Sequence, residues 1–133
     1  GLLQASIDIS RMWLPRGSIV RTVDRDGHSD EITANRTAIT DLPMAVLVNG
    51  QSASSSEIVT GALRDNDRAV VVGNPTFGKA LVQSLHGLSD GSGLAVTVAH
   101  YYTPDGTDIS SRGITPDVTV SLTEQQQQKS GVV

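Results

Sequence analysis

Two short motifs contain residues that could carry out nucleophilic chemistry. The first is NGQSASSSEI at residues 49–58, which follows the aliphatic run MAVLV and includes Ser54. The second is GNPTFGKA at residues 73–80, which follows the aliphatic run AVVV and includes Lys79. A serine hydroxyl paired with a neutral lysine amine is a recognised alternative to a serine–histidine pair in acyl transfer. The two motifs together therefore indicate a candidate nucleophile and a candidate base.

Ser54 has two interpretations that the first motif leaves open. A serine at a strand-to-helix turn lies beside the positive end of the helix dipole, where unpaired backbone N–H groups can hold an oxyanion. The spacing Ser54-x-x-Glu57 is also a capping box, which needs serine for structural reasons alone. The motif alone favours the capping role. A hydroxyl bonded to its own helix cannot point freely at a substrate, so the two roles compete.

The second motif differs by one residue from the phosphate-binding pattern GxxxxGK followed by Ser or Thr. Ala80 lacks the hydroxyl that would bind magnesium, and the residues after it alternate like a strand. Without a helix N-terminus the loop has no anion cradle, so nucleotide binding at residues 73–80 remains a remote alternative. Lys79 has apolar neighbours in sequence, among them Phe77 and Leu81. A desolvated lysine is neutral more readily and can act as a general base.

The hydropathy pattern predicts the elements that would position these residues. An opening helix is predicted from an apolar stripe of Leu2, Ala5, Ile9 and Met12, ending at Pro15. Two strands around the turn dipeptide Asp26-Gly27, and two more across a Gly-Ser-Gly turn in residues 81–102, predict hairpins.

The most informative prediction concerns residues 44–72. Two continuous aliphatic runs flank a helix there, which predicts two buried parallel strands in a βαβ unit. The C-terminal ends of adjacent parallel strands share one edge of a sheet, so Ser54 and Lys79 are expected at the same edge. The chain is predicted to be one mixed α/β unit.

Composition excludes several classes of function. The chain has 133 residues, a net charge of −4, 3% aromatic residues and no cysteine. The negative net charge gives no basic footprint for nucleic acid, and the lack of cysteine excludes a thiolate metal site. The sequence has no apolar run long enough to span a membrane. The low aromatic content predicts a mainly aliphatic core. Three histidines, His28, His86 and His100, lie outside any motif that links them to a serine. No metal and no cofactor are expected.

Three motifs in order identify a family resemblance that runs from Gly1 to about Val120. They are N-x-x-S-A-S-x-S-E-I, then T-F-G-K-x-x-V-Q, then Y-x-T-P-x-G-x-x-I-x-x-x-G-I-x-P-D. Together they resemble the carboxyl-terminal processing peptidases, also called tail-specific proteases. The opening GLLQASIDISRMWL is similar to the helix that follows the Asn-Pro-Gly-Gly turn of that family.

The resemblance implies a serine endopeptidase with a Ser/Lys dyad on a ClpP/crotonase-like core with a mixed sheet. It implies Ser54 as nucleophile, Lys79 as base, Gln83 as the residue that positions the lysine, and the backbone N–H of Ser55 as an oxyanion donor. The substrates implied are proteins with exposed, apolar C-terminal tails. The location implied is extracytoplasmic, in a periplasm, a cell envelope or a thylakoid lumen.

The chain departs from the family pattern in ways that favour a second hypothesis. The family usually has alanine at position 55 and glycine at position 80, where this chain has Ser55 and Ala80. Residues 1–123 are expected to form part of the catalytic domain, residues 124–133 a polar Gln-rich tail, and the PDZ domain and oxyanion turn are absent. We therefore expect weak activity or none from the chain alone. The alternative is a non-catalytic binding or structural module of protease ancestry.

Overall fold

The opening helix forms as predicted but buries a different face. In the computed structural model, which describes residues 1–123 and Gln126, helix α1 spans Leu3–Trp13. Its buried residues are Ser6, Ile7 and Ser10, whereas Leu2 is 77% exposed and the rest of the predicted stripe is also exposed. The stripe was wrong because apolar residues at steps of three and four occur on two faces of this helix. Ser6 tolerates burial because its hydroxyl donates to the carbonyl of Leu3 at 2.6 Å.

Four strands form an antiparallel sheet that contains both predicted hairpins. Strand β1 (Ser18–Asp24) pairs with β2 (Ser29–Thr33). The turn between them is held by the Asp24 carboxylate, which accepts the backbone N–H groups of Asp26 and His28. Gly27 takes a φ of +83° at this turn, which a glycine adopts without steric cost. The second hairpin, formed by strands β5 (Leu81–Gly87) and β6 (Gly93–Tyr102), completes the sheet in the order β2-β1-β6-β5.

The second hairpin follows the motif at residues 73–80. Its strands are numbered β5 and β6 because the two strands of the βαβ unit, described below, precede them in the chain. Strand β5 spans Leu81–Gly87 and pairs antiparallel with β6, Gly93–Tyr102. The register shifts between Val82 and Gln83, where a bulge interrupts the ladder. Strand β6 also pairs with β1, so its end at Tyr101 lies in the interior of the sheet.

The βαβ unit is confirmed by the parallel strands. Strand β3 (Ala45–Val48), helix α2 (Ser55–Asp65) and strand β4 (Val70–Gly73) form it, and a short strand β7 (Val118–Thr119) extends the sheet in the order β3-β4-β7.

The prediction that these strands are buried on both faces was wrong. Val48 and Val71 are buried, but Leu47 is 79% exposed and Val70 is also exposed. Successive strand residues point to opposite faces. Only one face of the sheet is therefore covered by the described residues.

The core is mainly aliphatic, as the composition predicts, and it lies where α1, α2 and β1 meet. Its buried members are Ile7, Leu14, Ile19, Val20, Ile58, Ala62, Leu63, Ala80, Tyr101, Ile109 and Ile114. The last two come from a segment around a short 3₁₀ helix, Ile109–Ser111, that packs onto the rest of the core. Gly61 on α2 allows close packing there, since a Cβ at that position would lie 2.8 Å from the Thr103 side chain.

The tail predicted at residues 124–133 lies outside the described residues apart from Gln126. Among residues 1–123 and Gln126, no helix is both long and apolar enough to cross a membrane.

Candidate active site

Ser54 occupies a strained turn between β3 and α2. It is the N-cap of α2 and has φ +59° and ψ −119°, a conformation that non-glycine residues rarely adopt. Such backbone strain costs about 1–3 kcal/mol and is concentrated at functional sites. Strand-to-helix turns of this kind expose a nucleophilic hydroxyl at the edge of a sheet. The positive φ therefore distinguishes Ser54 from Ser52, Ser55 and Ser56 of the same motif.

Glu57 links the serine turn to residues 73–80, here called the lysine loop, through hydrogen bonds. Its side chain is fully buried and accepts four hydrogen bonds. Oε2 accepts the backbone N–H of Ser54 at 2.8 Å and that of Lys79 at 2.9 Å. Oε1 accepts the Thr76 hydroxyl at 2.6 Å and the Gly78 N–H at 2.7 Å. The backbones of the two predicted dyad residues thus converge on a single oxygen atom.

These hydrogen bonds explain why residues 73–80 resemble a phosphate-binding loop. The N–H groups of Gly78 and Lys79 do cradle an anion, but the anion is the carboxylate of the protein's own Glu57. A strand, β5, follows the loop where a phosphate-binding loop has a helix. Since the donors are already occupied, the geometry offers nothing in favour of nucleotide binding.

Two further contacts hold the lysine loop in place. The N–H of Phe77 donates to the carbonyl of Ser52 at 2.9 Å, which fixes the loop to the serine motif a second time. Thr76 fixes the loop to the segment that contains Ile114, because the Thr76 hydroxyl also accepts the Ile114 N–H at 2.7 Å. Gly78 has a φ of +91°, and a Cβ there would lie 3.0 Å from the backbone nitrogen of Gly113. The loop is therefore constrained on both sides by backbone contacts.

The side chain of Lys79 does not have the apolar enclosure that the sequence suggested. Lys79 is exposed and the neighbouring Phe77 is 66% exposed. The described residues therefore do not supply the desolvation that a neutral lysine requires. Ala80, by contrast, is fully buried and its methyl group is accommodated in the core. The structure brings Ser54 and Lys79 together through their backbones, and their side chains make no recorded contact within residues 1–123.

A small pocket opens beside Ser54. Its volume is about 170 Å³, and its lining includes Ser54, Ser55 and Gln83, with Ile58 and Leu81 among the apolar members. Gln83 reaches this pocket from β5, next to the bulge, and bulges characteristically re-aim a side chain. Three of the four predicted site residues therefore border one cavity. The fourth, Lys79, is linked to the serine turn because its N–H and that of Ser54 both bind Glu57.

Gly1 also borders the pocket and lies against Ser55. A Cβ at Gly1 would stand 1.6 Å from Ser55 Oγ, so a larger residue there would require the Ser55 side chain to move. The Ser55 hydroxyl thus occupies the space directly beside Gly1.

The sequence interpretation missed Tyr101 as a site residue. Its hydroxyl lies 3.2 Å from Ser54 Oγ, and the side chain is only 3% exposed. Tyr101 is the first residue of the quoted Y-x-T-P motif, but nothing in that motif indicates proximity to a serine 47 positions earlier. Only the placement of β6 beside the serine turn reveals the contact.

The three histidines are exposed, and one of them lies in a small cluster with two carboxylates. His28 lies on the exposed β1–β2 turn beside Asp24, and His86 and His100 are exposed on β5 and β6. Asp24, Asp26 and His28 bring their ligand atoms within 4.8 Å of one another. The N–H of His28 holds the pKa of Asp24 below its usual value. These contacts are those of a hairpin turn, because the same carboxylate accepts two turn N–H groups.

Comparison with known proteins places the chain in a family. The profile of Peptidase family S41 matches residues 1–120. The chain belongs to peptidase family S41. It is 59% identical over 120 residues to a carboxyl-terminal-processing protease of Synechocystis, and 50% identical over 119 residues to carboxyl-terminal-processing peptidase 2, chloroplastic, of Arabidopsis thaliana. These alignments cover 90% and 88% of this chain.

A solved structure supports the same assignment. The photosystem II D1 C-terminal processing protease superposes with a TM-score of 0.82 at 45% identity over 91% of this chain. The mixed sheets with helices match that family fold as part of a domain. The chain spans only 28% and 23% of the two relatives and 32% of the solved structure.

Proposed function

We propose that the protein containing this chain is a serine-type endopeptidase that cleaves C-terminal tails of protein substrates. One observation carries the proposal: the N–H groups of Ser54 and Lys79 bind the same oxygen of Glu57, with Ser54 in a strained turn at the edge of a pocket. Membership of a peptidase family and the names of the relatives support the same activity.

The proposed chemistry is acyl transfer through a Ser/Lys dyad. Ser54 Oγ attacks the peptide carbonyl carbon while Lys79 Nζ accepts the hydroxyl proton. The oxyanion that forms is stabilised by the backbone N–H of Ser55, at the first turn of α2. Lys79 returns the proton to the leaving amine, and water then hydrolyses the acyl-enzyme. Gln83 positions the lysine.

The substrate class and location are inferred from the relatives and the pocket. Ile58 and Leu81 give the pocket beside Ser54 an apolar wall, which suits an apolar tail. The Synechocystis relative is named a carboxyl-terminal-processing protease, and the Arabidopsis relative is named chloroplastic. We infer that this protein also acts on exposed C-terminal tails, in an extracytoplasmic compartment.

The test uses a chimera because the chain covers little of its relatives. In it, the 120 residues aligned with the Synechocystis relative replace their counterparts in that protein. We expect the chimera to cleave a fluorogenic peptide with an apolar C-terminal tail, and the Ser54→Ala and Lys79→Ala variants to lose that activity. Ser56→Ala is the matched control, since Ser56 is exposed in the same motif. Unchanged cleavage by Ser54→Ala would refute the proposal.

A second candidate function is a non-catalytic binding or structural module. The exposure of Lys79 favours it, because the described residues do not enclose the amine that would act as base. The two candidates separate in the same assay. A folded chimera that binds the tail peptide without cleaving it, with Ser54→Ala indistinguishable from it, would favour the module. We expect the isolated chain to show weak cleavage or none in either case.

A further inference from the structure

The Ser54 hydroxyl is held by a tyrosine. Within residues 1–123, its recorded hydrogen bond joins Ser54 Oγ to Tyr101 Oη at 3.2 Å. Tyr101 is 3% exposed, and its N–H donates to the carbonyl of Ala80 at 3.1 Å. Its backbone also pairs with Thr22 of β1. The backbone of Tyr101 is thus held by two neighbours, its ring is buried, and its hydroxyl lies within hydrogen-bond distance of the proposed nucleophile.

We propose that Tyr101 is a catalytic residue whose hydroxyl donates its proton to Ser54 Oγ. The proposal rests on the proposed function of Ser54. A serine oxygen can accept a hydrogen bond while its own O–H points elsewhere. Donation from Tyr101 therefore leaves the Ser54 proton free for transfer to Lys79. It also stabilises the negative charge that grows on Oγ as that proton leaves, and the tyrosine itself keeps its proton throughout.

The position of Tyr101 couples this contact to the lysine loop. Ala80, whose carbonyl accepts the Tyr101 N–H, directly follows Lys79 in the chain. The Lys79 N–H in turn binds Glu57, which holds the Ser54 backbone. Ser54 is consequently fixed at its nitrogen by Glu57 and at its hydroxyl by Tyr101, and both residues also contact the lysine loop.

The test compares two neighbouring tyrosines in the chimera described above. Tyr101→Phe removes the hydroxyl and keeps the ring that packs in the core. Tyr102→Phe is the matched control, because Tyr102 is the next residue and its ring instead faces the Arg21 guanidinium at 5.4 Å. Peptide cleavage gives kcat and KM for each variant, and thermal unfolding gives the midpoint temperature.

We expect Tyr101→Phe to lower kcat about tenfold, the effect of one hydrogen bond that is stronger in the transition state. KM should stay within error of the chimera because the ring that lines the pocket is kept, and loss of one buried hydrogen bond should lower the unfolding midpoint by only about 2–4 °C. Tyr102→Phe should change none of the three quantities.

Each other outcome overturns the inference in a recognisable way. If Tyr101→Phe cleaves at the full rate while Ser54→Ala is inactive, the proposed function stands and the role of Tyr101 is refuted. If the loss of kcat disappears when Tyr101→Phe is assayed well below its unfolding midpoint, the hydroxyl has a structural role and the inference also fails. If Ser54→Ala cleaves normally, the proposed function fails and the role of Tyr101 fails with it.

Discussion

Replacing Glu57 by glutamine tests whether one buried carboxylate organises the site. All four hydrogen bonds that reach this carboxylate come from donors, three of them backbone N–H groups that cannot accept. A glutamine amide presents one oxygen and one NH₂ group, so one pair of donors must face another donor. The less costly orientation points the NH₂ at Thr76 and Gly78, because the Thr76 hydroxyl can rotate.

The expected loss of stability follows from these contacts. In that orientation the Gly78 N–H loses its acceptor, and an unsatisfied buried donor costs about 1–3 kcal/mol. The remaining bonds lose their charge assistance, which makes them roughly half as strong. Removing a buried charge relieves part of its desolvation cost, so the net effect is about 3 kcal/mol of destabilisation. For a domain of this size that lowers the unfolding midpoint by about 10 °C.

The effect on cleavage should exceed what stability alone predicts. Loosening the Ser54 and Lys79 backbones displaces both proposed dyad residues, and a misplacement of about 1 Å can cost about a hundredfold in rate. The chimera carrying Glu57→Gln should therefore show kcat about a hundredfold lower well below its unfolding midpoint. Glu31→Gln, at an exposed position of β2, is the control. A Glu57→Gln variant with an unchanged midpoint and unchanged kcat would contradict this account of the carboxylate.

Two further predictions concern hydroxyl and carboxylate caps near the site. Thr76→Val should destabilise the chain by about 2 kcal/mol, since the buried Ile114 N–H loses its acceptor and Glu57 loses a donor. Thr76→Ser should restore most of the loss in chemical unfolding, and equal midpoints for the two variants would argue against the hydroxyl. The Ser110 hydroxyl and N–H hold the pKa of Asp108 below its ordinary value of 3.8. A carboxylate with a lowered folded pKa stabilises the fold above its unfolded pKa and loses that contribution as pH falls. The wild type should therefore lose more stability than Asp108→Asn between pH 5 and pH 3, and parallel pH profiles would count against this role.

The sequence predicted the elements of this chain better than it predicted which faces they bury. The βαβ unit and both hairpins followed from aliphatic runs and turn dipeptides, which are local signals. The buried face of α1 did not follow, because Ser6 and Ser10 are buried in place of Ile9 and Met12. Burial depends on what packs against the helix, and α1 packs on α2, which is more than 40 residues away in the chain.

For the site residues as well, the sequence indicated which residues belong to the site better than it indicated which of them are buried. Ser54, Ser55 and Gln83, which the family resemblance implied as site residues, border one pocket. The desolvation of Lys79 was inferred from apolar neighbours in sequence, but Phe77 and Lys79 are both exposed on the loop. Tyr101 was missed because strand pairing, which no local pattern encodes, brings it to the serine.

In the serine motif, the capping box and the contact of the Ser54 hydroxyl with Tyr101 occur together. The carboxylate of Glu57 caps α2 through the Ser54 N–H, as a capping box requires. The same carboxylate binds the Gly78 and Lys79 N–H groups, so the cap of one helix is also the anchor of the lysine loop. The Ser54 hydroxyl meanwhile contacts Tyr101 across the pocket edge. The Glu57 N–H also donates to the Ser54 carbonyl at 2.9 Å, so the serine hydroxyl is not the sole acceptor for that donor. A capping box whose glutamate also binds a second loop can therefore hold a serine and a lysine loop next to each other.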